Sequence, residues 1–450
     1  WLGCRVASLL FLGSSSLGPR WGRGARMCTS REWVGRPKAV AWSIERRAFR
    51  RQAESEREPL PELFSVLGIE TSCDDTGVAV VRSDGVVLGE AVASQASLHE
   101  AWGGVVPGLA RDAHAQALDG TVQLALQRAG LSSVEEVDAV AVTVGPGLEI
   151  CLRVGCEEAK RLALAHDKPF AAVHHLEAHV LMARLACEPP PPFPFLTLLV
   201  SGGHCQLLLS RGIGDHLVIG STLDDALGEA YDKVARLLDL PTGGGGGPAL
   251  EKLAREGDPN YMPLPVPLSR KPSFDFSFAG LKTAVRIAVE RTPEEKRQTH
   301  AFRAGTAAAF QNAALKHLEM RITYAMRLFE EQAEALGCTP NTLVLSGGVA
   351  ANAELRRRLG ELCAQTPAPS GDGTWRMVVP PPRLCTDNGV MVAWAAIERL
   401  RSGVLDEAEG QEVRARWPLG RPITAELGEV DLKPSANRQQ KKRRHQPSSS

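Results

Sequence analysis

His175 and His179 stand four residues apart in HHLEAHVLMARL, a stretch whose apolar residues recur at helical spacing. On a helix the two imidazoles would share one face, a turn apart, and that spacing suits a metal ion. Two ordinary core or surface histidines would show the same pattern, so a site needs a third donor from elsewhere. Asp387, in PPPRLCTDNGVMVAWAAIERL, is the candidate: a carboxylate at a loop-to-helix junction, where Asp and Asn also serve as plain helix caps. Two histidines and one aspartate would leave open positions on Zn²⁺ or Fe²⁺, as a catalytic rather than a structural site requires. The pattern argues against a metallopeptidase, which needs a glutamate next to one of the histidines. Glu177 instead stands midway between them, two residues from each, rotated about 200° around the helix and facing away.

The elements that would position these groups alternate between strand-like and helix-like runs, which predicts an α/β architecture. Ser65–Val81 reads as a hairpin whose polar turn covers Thr71 to Asp75, and Phe195–Ser210 reads as a second hairpin turning at Ser201, Gly202, Gly203 and His204. A third strand, in NTLVLSGGVAANAELRRRL, runs into a Gly-Gly turn and then a helix. Glycines there let backbone N–H groups approach a nucleotide, and a helix N-terminus favours its negative charge. Two such hairpins suggest two related lobes facing across a cleft, the plan of the actin-like, Hsp70-like and sugar-kinase ATPase fold, with duplicated βαβ lobes around a nucleotide cleft. Ser221–Ala254 adds an amphipathic helix bearing Asp232 and Lys233, followed by five glycines that can wrap a ribose or phosphate or act as a slack connector.

Composition bounds the rest. With 450 residues, 44% hydrophobic and 23% charged, the chain can bury a large core. Lys plus Arg and Asp plus Glu both number 52, so any nucleic-acid partner must meet a local patch. No apolar run approaches the roughly 20 residues of a membrane span. Ten cysteines without a C-x-x-C pair suggest reduced thiols and neither a zinc ribbon nor a thioredoxin-type site. Between Trp1 and Gln52 lie ten arginines and one lysine against Glu32 and Glu45, the profile of a mitochondrial transit peptide. The expected organisation is a transit or disordered segment over 1–62, a two-lobed domain over 63–425, and a basic polar tail over 426–450 that includes Lys441 to Arg444.

GIETSCDDTG, GGVVP, HHLEAH, LVSGGHCQ, GEAYDKVARLL, DFSFAGLKT, SGGVAAN and CTDNG follow one another between about Val66 and Arg401. In that order they resemble the universal tRNA N6-adenosine threonylcarbamoyltransferase family, formerly termed O-sialoglycoprotein endopeptidase-like, and in particular its mitochondrial branch. The resemblance implies His175, His179 and Asp387 as ligands of one divalent metal, Fe or Zn. It implies Leu199, Val200, Ser201, Gly202, Gly203, Asp232, Gly247 and Asn352 as contacts to threonylcarbamoyl-adenylate. Asp74 and Asp75 match the acidic pair of the first turn, where they would accept the amine proton or position the nucleotide.

The implied reaction passes a threonylcarbamoyl group from its adenylate to N6 of adenosine 37 in tRNAs reading ANN codons, with release of AMP, in the mitochondrial matrix. The implied partners are tRNA, a separate threonylcarbamoyl-AMP synthase and a second copy in a homodimer, with no membrane. Lys282, Arg356 to Arg358, Lys160 and Arg161 are candidates for phosphate or RNA contacts, with ordinary surface ion pairs as the alternative. The sequence departs from the family pattern at Gly108, where glutamate is common, at Glu149 and Arg153, and in the five-glycine loop. An ATPase or kinase of the same fold, or a non-catalytic RNA-binding subunit, are the competing readings.

Overall fold

Two sheets with one plan organise the chain. The computed structural model describes residues 60–427 apart from 243, 244, 272 and 372. All of these fall in one compact unit beginning at Leu60. The transit segment expected over 1–62 and the tail expected over 426–450 therefore lie outside the described residues, except at their inner edges. There Leu60 packs on the first lobe and Leu427 is buried in the second.

The first sheet contains β1 (Ser65–Glu70), β2 (Asp75–Arg82), β3 (Val87–Ser94), β4 (Ala139–Gly145) and β5 (Phe170–His174), in the order β3-β2-β1-β4-β5. The second contains β6 (Phe195–Val200), β7 (Cys205–Gly212), β8 (Asp215–Ser221), β9 (Thr342–Ser346), β10 (Arg376–Val378) and the two-residue β11 (Arg421–Pro422), in the order β10-β9-β6-β7-β8-β11. In both, the first strand pairs antiparallel with the second and parallel with the fourth. Reading β6 to β10 for β1 to β5 reproduces the same order, so the lobes are duplicated as the two hairpins predicted. This is the two-lobed ATPase-like fold.

Alternation along β1 shows why every residue of this strand is buried. Val66 belongs to a cluster on one face of the sheet, Leu67 and Ile69 to a cluster on the other. Helices α1 (Pro107–Arg128) and α2 (Glu149–Ala165) cover the Leu67 side. The Val66 side is covered by α3 (His175–Ala186) and, from far along the chain, α9 (Gly389–Arg401). In the second lobe, α4 (Leu227–Leu237), α6 (Ala279–Arg291) and the 37-residue α7 (His300–Leu336) pack on one side of the sheet. The short α5 (Gly247–Ala254) follows the glycine loop, and α8 (Ala353–Gln365) follows β9.

Helix α3 is buried from His175 to Ala183 because it packs in both lobes. Ala178, Leu181 and Met182 join the first lobe's core, while Leu176, Val180 and Ala183 join a cluster with Phe195 and Leu199 of the second. No helix among the described residues is long and apolar enough to cross a membrane.

Candidate metal centre and nucleotide cavity

Helix α3 starts directly after β5. His174 caps it, its Nδ1 accepting from Leu176 N at 3.2 Å, which places His175 in the first turn and His179 in the second. The imidazoles lie edge to face with centroids 4.8 Å apart. Asp387 reaches them from the loop before α9, and it is free to do so because the neighbouring Asn388 is the cap, accepting from Met391 N at 2.9 Å. Glycines fix the height of that loop. A Cβ on Gly389 would stand 2.4 Å from Ala79 N, and one on Gly68 would stand 2.4 Å from Ala393 N, so α9 sits on β1 and β2 closer than any side chain allows.

The donors converge. His179 Nε2 lies 3.0 Å and His175 Nε2 3.7 Å from Asp387 Oδ1, and a ligand atom from each of the three residues falls within 4.8 Å of the others. Ligands about 2.0–2.2 Å from one tetrahedral ion are themselves separated by roughly 3.4 Å, so these spacings bracket what a single metal needs. Behind His175, its Nδ1 lies 3.3 Å from Glu70 Oε2 and 3.2 Å from Ser72 Oγ, the outer support typical of a metal-bound imidazole. The residues present thus fit one divalent ion.

The electrostatics are those of a cation site. Burial alone would lower the His175 pKa, but Asp387 and Glu70 raise it to about 9. Burial likewise opposes ionisation of Asp387, yet His175 and His179 hold it well below the usual carboxylate range. Nearby His204 is depressed to about 4 by burial and by the charges of His175 and His179. Glu177 points elsewhere, as its rotation on the helix predicts. Its Oε1 accepts from Gly214 N at 2.5 Å and lies 3.0 Å from His216 Nε2.

Beside the cluster opens a cavity of about 520 Å³, which Thr386 and Asp74 reach from the metal side. Gly202, Gly203 and Gly247 line it, and a Cβ on any of the three would meet no protein atom within 4 Å. Packing therefore does not demand glycine at these positions, but a ligand held against the backbone would. Gly347 differs: its φ is 87° and a Cβ would stand 2.4 Å from Val200 O, so the fold itself requires it.

Of the other expected contacts, Asp232 and Asn352 line the cavity. Asp232 Oδ1 accepts from Gly246 N at 2.6 Å and so shapes the glycine loop. Asn352 caps α8, accepting from Leu355 N at 2.9 Å, and donates to Gln311 Oε1 at 3.1 Å. The side chains of Leu199 and Val200 are buried in the core, and Ser201 Oγ accepts from His204 N at 3.1 Å. In the first turn Asp74 faces the cavity, whereas Asp75 is not in its lining. Asp75 lies deeper, with its pKa raised by burial and its Oδ1 without a hydrogen-bond partner.

The basic candidates are engaged elsewhere. Arg357 pairs with Glu354 and Glu361, Arg358 with Glu319, and Arg161 with Glu158. Arg356 donates to Ala350 O and Pro380 O, Lys160 to Gln411 O, and Lys282 lies 2.5 Å from Asp225. The cation that does line the cavity is Arg236, in GEAYDKVARLL, a motif from which the sequence suggested only Asp232 and Lys233. Glu70 and Ser72 were likewise not singled out. The signal for Glu70 was a carboxylate ending an otherwise apolar strand, immediately before the polar turn.

Residues 86–394, which include His175, His179 and Asp387, match the family profile "TsaD: tRNA N6-adenosine threonylcarbamoyltransferase". The chain belongs to this family. It is 47% identical over 358 residues to the tRNA N6-adenosine threonylcarbamoyltransferase of Rhizobium etli (strain CIAT 652), covering 79% of this chain and 94% of that protein. It is 43% identical over 386 residues to a probable mitochondrial tRNA N6-adenosine threonylcarbamoyltransferase of Arabidopsis thaliana, covering 81% and 77%. A relative from Methylocapsa acidiphila is 47% identical over 364 residues, covering 79% and 96%. Membership in the threonylcarbamoyltransferase family makes the chain a tRNA-modifying transferase, and the reading as a kinase of the same fold is set aside.

Proposed function

We propose that this chain transfers the threonylcarbamoyl group of L-threonylcarbamoyladenylate to N6 of adenosine 37 in tRNAs that read ANN codons, releasing AMP, in the mitochondrial matrix. The observation that carries the proposal is the glycine-walled cavity, shaped to admit a ligand against Gly202, Gly203 and Gly247, next to His175, His179 and Asp387.

An exocyclic adenine amine is a poor nucleophile, so its acylation needs an activated donor. In the adenylate the carbamoyl carbon is joined to phosphate, and AMP is a good leaving group. A bond forms from N6 to that carbon, the bond to the phosphate oxygen breaks with its electrons going to AMP, and N6 loses a proton. Asp74, in the cavity wall, accepts that proton, while Asp75 behind it fixes the turn. Backbone N–H groups of the Gly202–Gly203 turn orient the donor, and Arg236 offsets phosphate charge. A divalent Fe or Zn ion held by His175, His179 and Asp387 supplies Lewis acidity when bound.

The mitochondrial placement is supported by the Arabidopsis relative's name and by the Arg-rich composition of residues 1–52. We further propose that the protein works as a homodimer fed by a separate threonylcarbamoyl-AMP synthase. The decisive experiment is nucleoside mass spectrometry of mitochondrial tRNA from cells lacking the protein, rescued with wild type or with His175→Ala plus His179→Ala. Loss of N6-threonylcarbamoyladenosine, restored only by wild type, is the expected result. An unchanged nucleoside profile refutes the proposal, and rescue by the double variant refutes the metal site. With purified components, AMP release only when adenylate and tRNA are both present separates the transferase from an ATPase of the same fold.

A further inference from the structure

An aromatic side chain that the fold does not use stands at the rim of the cavity. Trp102 is 67% exposed, whereas Tyr261, the other exposed aromatic among the described residues, is 37% exposed. An indole left in water forgoes the burial that normally holds such a residue inside, and its backbone here is firmly held. His99, 4% exposed, accepts from Trp102 N through its carbonyl at 3.1 Å and from Val106 N through Nδ1 at 3.3 Å, while its Nε2 lies 3.1 Å from Gln95 Oε1. Gly103, with φ of 67°, turns the chain immediately after Trp102, and its carbonyl accepts from Arg236 Nη1 of the second lobe at 2.9 Å. The segment is thus fixed from both lobes and still presents its indole to solvent. His99, Glu100, Gly103 and Gly104 line the cavity on either side of Trp102 in the chain, whereas Trp102 is not in the lining itself, which puts it just outside that wall.

We propose that Trp102 is a stacking platform for an unpaired base of the tRNA anticodon loop, one that flanks the adenosine entering the cavity. This rests on the reading of the chain as a transferase acting on tRNA adenosine. An adenine that enters a cavity must leave its stack, and its neighbour then loses a stacking partner too. A flat π surface at the rim restores that partner without regard to base identity. The observations favour RNA over a protein partner because the segment that carries the indole is itself part of the wall of the cavity that takes the substrate base.

The test uses the full-length protein with Trp102→Ala, Trp102→Leu and Trp102→Phe. Binding of an anticodon stem-loop RNA is measured directly, alongside KM for tRNA and for threonylcarbamoyl-adenylate. Stacking predicts that the Ala and Leu variants weaken RNA binding and raise the tRNA KM about tenfold, that Phe stays near wild type, and that the KM for the adenylate does not move. The proposal is overturned if Leu matches wild type, or if all three variants bind RNA normally. A change of oligomeric mass in Trp102→Ala with unchanged RNA binding would also overturn it and assign the residue to a protein interface. Wild-type protein that binds the stem-loop but transfers nothing would defeat the donor chemistry and leave Trp102 to be judged on binding. Wild-type protein that binds no RNA defeats both.

Discussion

Gly389→Ala tests whether the close seating of α9 on the first sheet is what sets the metal site. The added Cβ would lie 2.4 Å from both Ala79 N and Val78 C and 2.6 Å from Val78 Cα. Ordinary contact begins near 3.4 Å, so the helix start has to retreat by about 1 Å. The atoms in the way are backbone of a central strand and cannot rotate aside, and Gly68 and Gly77 make the matching approach from the sheet. Overpacking of this kind costs ~1–3 kcal/mol, and backbone against backbone belongs at the upper end. Asp387 lies two residues ahead of the displaced position and moves with it. Metal–ligand distances tolerate only about 0.2 Å, so the site loses its third donor. The assay is urea unfolding together with metal content by plasma mass spectrometry, with Gly108→Ala as control. Gly108 lies in the first turn of α1 with no atom within 4 Å of a built Cβ, so that variant is expected within ~1 kcal/mol of wild type. If Gly389→Ala unfolds at the control's midpoint, the packing argument is wrong. If it is destabilised but keeps its full metal content, the link to Asp387 is wrong.

Three further outcomes follow from the same geometry. His179→Ala and Asp387→Asn should each leave the protein with well under one metal ion per chain, and full occupancy in either would remove that residue from the donor set. Glu70→Gln should weaken metal affinity about 10- to 100-fold while leaving the fold intact, because it deletes the carboxylate behind His175 Nδ1; unchanged affinity would make Glu70 a purely structural residue. His317 is fully buried, with Ser277 N donating to its Nε2 at 3.2 Å, and burial followed by the Arg321 charge lowers its pKa to about 3. A histidine depressed on folding contributes stability above its unfolded value near 6.5 and loses it as pH falls towards 3. The unfolding free energy should therefore decline by up to ~1.4 kcal/mol per pH unit below about 6 from this residue. His317→Gln, which keeps an acceptor, should flatten that slope; an identical slope would refute the assignment.

The lobes were legible because their signal is local. Each hairpin is an apolar run, a polar turn and a second apolar run, and two copies sufficed to predict duplicated sheets. The His175–His179 pair and the turning of Glu177 away from it followed from helical arithmetic alone. What could not be read was long-range. Nothing in GVMVAWAAIERL says that α9 returns to the first sheet across more than 300 residues of chain, and only that return brings Asp387 to the histidines. Asp387 and Asn388 are adjacent and both can cap, so the division of labour between them emerges only when the loop is in place. Arg356 to Arg358 could be read either as RNA contacts or as ordinary ion pairs, because the sequence shows the charges without fixing all of their partners. Two of those partners, Glu354 and Glu361, were within a turn or so on the same helix, but Glu319 lies on α7.

The same placement separates the two halves of the site by lobe. His175, His179 and Asp387 ride on α3 and the loop before α9, both packed on the first sheet, and Glu70 ends β1 of that sheet. Gly202, Gly203, Asp232, Gly247 and Asn352 belong to the second lobe, and Arg236 bridges from there to Gly103. A relative displacement of the lobes would therefore reshape the cavity, and α3, packed in both lobes and accepting from Ser346 Oγ of the second sheet through His179 O, would have to follow one of them. Loss of metal and loss of nucleotide binding should accordingly be separable by mutation, with Gly389 on one side of that division and Gly247 on the other.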